Sequence, residues 1–129
     1  MTCNFRTAAC ACLTLGLVLP VAIRPAAPSN RTITCVYLDT EDLKFQVPAH
    51  IGGLPAIDFD YPAKVTLFSF RAGHLLLVAM DEDESSRLRI VISAQLNKFK
   101  RTYDGQIVVD RGGHQLQLYG GPVRCSVGQ

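Results

Sequence analysis

Residues 98–125, KFKRTYDGQIVVDRGGHQLQLYGGPVRC, decide the fold of this 129-residue chain. β-branched and polar residues alternate here, interrupted by Asp104-Gly105, Gly112-Gly113 and Gly120-Gly121, dipeptides that are typical of tight turns. The pattern predicts consecutive antiparallel strands joined by short hairpin turns. Because a turn of known length fixes which residues face each other, the orientation of each side chain follows from the pairing.

The later turns predict which face of the sheet is buried. A two-residue turn at Gly112-Gly113 gives one apolar and one polar face, as a half-buried antiparallel pair requires. The same kind of turn at Gly120-Gly121 places Leu116 opposite Cys125. Cys125 is therefore predicted to point into the core.

The first turn needs a different length. A two-residue turn at Asp104-Gly105 would bury Lys100, and burying an unpaired ammonium costs far more than the difference between turn types. A three-residue loop over residues 104–106 is therefore expected. It keeps Phe99 inward and also turns Arg101 inward near the edge of the sheet.

Upstream residues predict further strands. A first hairpin places Ile33 and Cys35 on one face, with Leu43, Phe45 and Val47 on the corresponding face of its second strand. Strands are also expected over residues 63–71, with either a bulge or both faces covered, over 74–80 and over 87–96. In the last of these, Leu88, Ile90, Ile92, Ala94 and Leu96 are predicted to face inward, and Arg87, Arg89, Ser93 and Gln95 outward.

The connections between these strands are expected to be irregular. Residues 48–62 contain three prolines and a Gly-Gly pair, which exclude a regular helix. Their apolar residues predict a loop that packs down on the core, with a short edge strand around Asp58 and Asp60. Residues 81–86, DEDESS, are expected to form a solvated loop.

The N-terminal residues have the composition of an export signal. Residues 1–27 contain no acid, an early Arg6 and an almost entirely apolar run over 8–23, which is short for a membrane span. A secretory signal peptide over 1–27 is predicted, with cleavage between residues 22 and 29 and a single domain over 28–129. The mature protein is then secreted or periplasmic, and contact with a membrane would require an uncleaved N-terminal segment.

Removal of that segment changes the cysteine and charge balance. Of five cysteines, only Cys35 and Cys125 remain, and both are expected to face the core, which predicts a disulfide between the first and last strands. Of 13 basic residues, Arg6 and Arg24 are lost, leaving 11 beside 11 acidic residues. A net charge near zero gives no argument for nucleic acid binding. The fold class predicted is all-β, a small antiparallel barrel or sandwich of about eight strands.

Few residues are candidates for chemistry. The three histidines, His50, His74 and His114, are far apart in sequence, so no metal site is expected, and no cofactor motif is present. The acidic run 81–84 lacks the glycine and the spaced ligands of a calcium loop. Lys98, Lys100, Arg101 and Tyr103 combine cations with an aromatic ring, which is typical of a protected edge strand or of a partner-binding patch.

These observations favour a non-catalytic binding, interaction or structural domain of the envelope or medium. Its partner is expected to be a protein or a polysaccharide. The architecture inferred is similar to that of bacterial lysozyme inhibitors, small exported barrels with a terminal disulfide. This resemblance implies an alternative function as an inhibitor of a secreted hydrolase, although the Ser-Gly-x-x-Tyr loop of that family is absent. A second alternative is a small hydrolase that uses loop 48–62, with His50 beside Asp58 or Asp60.

Overall fold

The computed structural model describes residues 30–39 and 41–129, and the predicted export signal lies outside these residues. The described residues form seven strands and no helix. The strands are β1 (Thr32–Tyr37), β2 (Glu41–Gln46), β3 (Ala63–Arg71), β4 (His74–Asp81), β5 (Leu88–Asn97), β6 (Thr102–Asp110) and β7 (Leu118–Gly128). The all-β class is thus confirmed, with seven strands in the described part of the chain rather than eight.

All strand pairs are antiparallel, in the order β2-β1-β7-β6-β5-β4-β3. The sheet curls into a half-barrel, because the rings of Phe45 on β2 and Phe68 on β3 lie 5.8 Å apart although these edge strands are not hydrogen-bonded to each other. The architecture is therefore neither a closed barrel nor a two-sheet sandwich.

The concave face holds the core. Alternate residues of each strand point into it, as a period of two requires. Fully or almost fully buried members are Ile33, Cys35, Leu75, Leu77, Ala79, Ile90, Ile92, Ile107, Val109, Val123 and Cys125. The first hairpin has the predicted facing, since Leu43, Phe45 and Val47 are also buried. The Sγ atoms of Cys35 and Cys125 form a disulfide bond, in agreement with the sequence prediction.

Residues 47–62 run from the end of β2 to the start of β3 without a regular element. Ile57, Phe59 and Tyr61 are partly buried and pack against the core. The predicted loop packing is confirmed, but the short edge strand around Asp58 and Asp60 is wrong, since no strand is present there.

Two bulges change which side chains face inward. The register of β3 shifts between Val65 and Leu67, which agrees with the first of the two alternatives for this strand, a bulge. A second shift lies between β4 and β5, where Ala79 pairs with Ile90 and the next residue, Met80, pairs with Leu88. Arg89 is the extra residue of this bulge and is only 5% exposed, so its predicted outward orientation is wrong.

The register predicted for residues 98–125 is wrong at its turns. Asp104 and Gly105 lie inside β6, and the connection from β5 to β6 is formed by residues 98–101. Gly105 lies opposite Ala94, and a Cβ on it would overlap the carbonyl oxygen of Ser93. This glycine therefore permits close approach of two strands and does not mark a turn.

Gly120 and Gly121 are likewise inside a strand, β7. A Cβ on Gly121 would lie 2.9 Å from the phenol oxygen of Tyr119, so the glycine leaves room for that ring. Tyr103, and not Leu116, is opposite Cys125. Cys125 is buried as predicted, but through a different pairing.

The predicted turn at Gly112-Gly113 is instead part of a seven-residue loop, 111–117, because Asp110 pairs with Leu118. The amide of Arg111 donates to the Gln117 carbonyl at 3.1 Å and closes the loop. Leu118 is 60% exposed, so the apolar face predicted for this hairpin does not continue beyond Val109.

Candidate functional site

The topology places several cations at one end of the sheet. In an antiparallel sheet, alternate connections lie at the same end, so the β3–β4 turn, the β5–β6 turn and the start of β1 are together. No Asp or Glu occurs in residues 30–31, 71–74 or 98–101. We call this region the cationic end, and its exposed cations are Arg31, Arg71, Lys98, Lys100 and Arg101.

The opposite end carries most of the exposed carboxylates. They lie in the β1–β2 and β4–β5 turns and in the part of loop 47–62 that leads into β3. The exposed members are Asp39, Asp58, Asp60, Glu82, Asp83 and Glu84. Exposed carboxylates are therefore concentrated at this end of the sheet.

The β5–β6 turn at the cationic end is held in one conformation by Asn97. Its side-chain oxygen accepts hydrogen bonds from the amides of Phe99 at 3.1 Å and Lys100 at 3.2 Å. Its carbonyl accepts a hydrogen bond of 2.8 Å from the amide of Arg101, whose φ of 55° lets the chain reverse. Asn is well suited to this position because its short side chain caps the following amides.

Asn97 is itself fixed by a second group of polar side chains. Its Nδ2 donates to Asp104 at 3.3 Å, and Asp104 also accepts from Thr102 Oγ1 at 3.1 Å and from Arg124 Nε at 3.0 Å. The hydrogen bond from Arg124, followed by those from Thr102 and Asn97, holds the pKa of Asp104 below its usual value against the opposing effect of burial. The turn is therefore anchored to both β6 and β7.

The tip of this turn is an exposed aromatic residue between cations. Phe99 is fully exposed, at 101%, and Lys98, Lys100 and Arg101 are exposed on either side of it. The predictions that Phe99 and Arg101 face inward are wrong, because residues 98–101 form the turn itself. Large aromatic side chains are common anchors of protein interfaces. We call residues 98–101 the Phe99 turn.

Tyr103 does not share this surface. It lies on the concave side opposite Cys125, is half-buried, and its ring is 5.1 Å from that of Phe70. Of the four residues predicted to bind a partner, the structure brings Lys98, Lys100 and Arg101 together and leaves Tyr103 in the wall of the core. Phe99 replaces it, and the Asn97-x-Phe99-Lys100 spacing of a capped turn is the signal that would have found it.

A cavity of about 290 Å³ lies at the same end, beside the outer edge of β3. It is bordered by residues 68–71 of β3 and by residues 47–53 of the loop that follows β2, and its cationic side chains are Arg31 and Arg71. The guanidinium of Arg31 lies 5.4 Å from the centroid of the Phe70 ring, a cation–π distance. Within the part of the chain that the structure describes, no Asp or Glu lines this cavity.

At the acidic end, two arginines hold loop 111–117. Arg87 Nε donates to Asp110 at 2.6 Å, and its terminal nitrogens donate to the carbonyls of Gly112, Gly113 and Gln115. Asp110 Oδ1 also accepts from the amides of Gly112 at 3.0 Å and Gln117 at 2.9 Å. The hydrogen bond from Arg87 is the main reason that the pKa of Asp110 lies well below its usual range.

The bulged Arg89 makes the second contact of this kind. Its Nε donates to Asp81 at 2.7 Å, and its Nη1 donates to the carbonyl of Gly112 at 2.7 Å. Its guanidinium lies 5.3 Å from the ring of Tyr61, whose pKa is raised to about 12, mainly by burial. Both arginines therefore hold the fold at this end through hydrogen bonds to protein groups.

The acidic run 81–84 takes part in the same hydrogen-bond network through its first residue, Asp81. Asp81 is only 4% exposed and ends β4, so the prediction of a fully solvated loop is wrong at this residue. Its Oδ1 accepts from the amides of Asp83 and Glu84, each at 2.9 Å, and these bonds and Arg89 lower its pKa. No group of three His, Cys, Asp or Glu side chains suited to a metal occurs within residues 30–39 and 41–129.

The histidines lie on separate exposed segments. His50 borders the cavity beside β3, whereas Asp58 and Asp60 border a different one, near Glu82. The hydrolase alternative required His50 beside one of these aspartates, and the structure places them around separate cavities.

Among the described residues, no helix is long and apolar enough to cross a membrane. Comparison with known proteins gave no match, since no family model, no curated protein and no solved structure matches the chain. Any proposal about function therefore depends on the geometry above.

Proposed function

We propose that this protein is an exported, non-catalytic binding domain that recognises an acidic protein through its cationic end. The observation that carries the proposal is Phe99, fully exposed at the tip of a turn that Asn97 caps with three hydrogen bonds. An aromatic anchor held in advance loses little conformational entropy on binding. The cations on either side would steer an acidic partner toward it.

Export is part of the proposal. The predicted signal over residues 1–27 precedes a domain whose first and last strands are joined by a buried disulfide. Disulfides of this kind persist in oxidising compartments. Such a location is compatible with a partner in the envelope or the medium.

A protein partner is favoured over a polysaccharide by the aromatic groups available. Sugars stack on open aromatic faces, whereas the Phe70 ring is already in contact with Arg31 and Tyr103. Phe99 stands alone at the end of a turn, which suits insertion into a pocket of a protein. The inhibitor alternative is a special case in which that pocket is the cleft of a secreted hydrolase.

The proposal is tested by affinity capture from the medium and envelope of the producing organism. The baits are the exported wild-type protein and the variant Lys98→Glu/Lys100→Glu, and bound proteins are quantified by mass spectrometry. Reversing two exposed charges at the interface is expected to reduce capture of an acidic protein about tenfold or more, since each like-charge contact is repulsive. Phe99→Ala should cause a comparable loss through the missing anchor.

The matched control is Lys64→Glu on β3, an exposed lysine near the acidic end. Capture by this variant should equal that of the wild type. Equal capture by all baits would contradict the proposal. If the captured protein is a hydrolase, its activity with and without the wild-type protein decides whether binding inhibits it.

A further inference from the structure

We infer that the outer edge of β3 at the cationic end binds an extended segment of an acidic protein, which adds to the sheet beside residues 68–71. This inference deepens the proposed function and rests on it for the class of partner. It assigns a second contact surface, the cavity beside β3, in addition to the Phe99 turn. The segment's carboxylates would lie beside Arg31 and Arg71.

The sheet order leaves this edge open. Among the strands of residues 30–39 and 41–129, β3 is the last of the sheet and pairs only with β4. The strand facing it across the opening of the half-barrel is β2, which contacts it through the rings of Phe45 and Phe68. An edge strand presents backbone donors and acceptors to any extended chain that lies alongside it.

The cavity lies where an added strand would need space for its side chains. Four consecutive residues of β3, 68–71, border its volume of about 290 Å³. The opposite wall is the turn at residues 50–53, closed by a hydrogen bond of 3.1 Å from the Gly53 amide to the His50 carbonyl. Ile51, at the tip of this turn, is 90% exposed and offers apolar surface to a neighbouring residue of the segment.

The positive charge at the cavity favours a segment with acidic side chains. Arg31 and Arg71 border the cavity, and none of the described residues that line it is Asp or Glu. Both arginines lie near the ends of their strands, so their side chains can reach an acidic residue without burying its charge completely. Arginine pairs with carboxylates through two parallel hydrogen bonds, which adds geometric specificity to the attraction.

The same geometry disfavours a glycan at this place. Sugars commonly stack on aromatic rings, and the ring of Phe70 is already in contact with the guanidinium of Arg31 at 5.4 Å and with Tyr103. A free strand edge has no special advantage for a sugar, whereas it provides main-chain pairing for a peptide.

The test uses the full exported protein and a synthetic probe of about eight residues, alternating Glu and Val, an extended pattern suited to strand addition. Binding is measured by calorimetry, and hydrogen exchange of backbone amides locates the site. We expect slower exchange within residues 68–71 and about tenfold weaker binding by Arg31→Gln or Arg71→Gln, the loss of one charge-assisted contact. A probe with Gln in place of Glu should bind about tenfold more weakly as well.

Two controls keep the result specific. Lys64→Gln, at the other end of the same strand, should leave the affinity unchanged, and equal urea midpoints would show that the arginine variants remain folded. The inference is overturned if Arg71→Gln binds the probe as the wild type does, or if protection appears away from β3. Arginine-dependent binding of an oligogalacturonate, with no binding of the peptide, would also overturn it.

Failure of this inference differs from failure of the proposed function. If capture depends on Lys98 and Lys100 but the peptide does not bind at β3, the proposed function is retained and the β3 site is rejected. If the peptide binds at β3 but substitutions in the Phe99 turn do not change capture, the β3 site is retained and the Phe99 turn has no role in binding.

Discussion

Replacing both cysteines, Cys35→Ala/Cys125→Ala, will lower the free energy of unfolding by about 4 kcal/mol. The disulfide closes a sequence separation of 90 residues, and its removal restores conformational entropy to the unfolded chain. Both side chains are completely buried, so the loss of packing adds to the effect. Since a domain of this size has a stability of roughly 5–15 kcal/mol, this loss is a large share of the total.

The disulfide lies where the first hairpin joins the rest of the sheet, so its loss affects more than the two cysteines. β2 pairs only with β1, and β1 joins the rest of the sheet only through β7, where Cys35 lies opposite Cys125. Loss of that pairing would release the first hairpin as a unit. Urea unfolding of the double variant, and of the wild type with reductant, should give similar decreases in midpoint. A decrease below about 1 kcal/mol would contradict the assigned role of the bond.

The second large effect is expected for Asp110→Asn, which should destabilise the protein by about 3 kcal/mol near neutral pH. The side chain of Asp110 is fully buried, and Asn cannot accept all three hydrogen bonds from Arg87, Gly112 and Gln117 without presenting an amide donor to one of them. Arg87, with 11% of its side chain exposed, would lose its carboxylate partner. Loop 111–117 should then lose its fixed conformation.

The loss of stability caused by Asp110→Asn should be smaller at low pH than at neutral pH. The pKa of Asp110 is lowered in the folded protein, first by the hydrogen bond from Arg87 and further by the amides of Gln117 and Gly112. Its contribution to stability is therefore complete above the ordinary carboxyl pKa of about 4 and is lost as the pH falls toward the lowered value. The difference in the free energy of unfolding between the wild type and Asp110→Asn should decrease by about 1 kcal/mol when the pH is lowered from ~7 to ~3.

Urea midpoints at the two pH values measure this difference. Asp104→Asn is the matched control, because Asp104 is also paired with an arginine, Arg124, whose side chain is 60% exposed. It should destabilise the fold less than Asp110→Asn does. Equal effects of the two substitutions, or a gap that widens toward low pH, would show that the Arg87–Asp110 pair does not hold the loop.

Much of the fold follows from local alternation. The period of two identifies most strands, and it places Cys35 in the core because the facing of side chains within a strand does not depend on the partner's register. Cys125 was predicted to be buried from a pairing with Leu116, and the structure buries it opposite Tyr103 instead. The register of β6 and β7 is different, since it depends on contacts distant in sequence. Arg87 bonds to Asp110 and to the carbonyls of loop 111–117, and these bonds select a long loop where the glycines alone predicted a tight turn.

In the candidate site, too, local sequence predicts some features and long-range pairing decides the others. Lys98, Lys100 and Arg101 were predicted to contribute to a binding patch, and the structure places all three in the exposed β5–β6 turn. The exposure of Phe99 was missed because the turn was placed at Asp104-Gly105, six residues too late. Arg89 was predicted to face outward because a bulge between Ala79 and Met80 cannot be read from an alternating pattern. Long-range pairing decides these positions.

The most direct test of the central claim is the footprint of the captured partner, mapped by hydrogen exchange of backbone amides on the exported protein. Binding through the cationic end predicts protection at residues 98–101 and 71–74, with no change at residues 58–60 and 82–84. Protection confined to the latter residues, at the acidic end, would contradict the account.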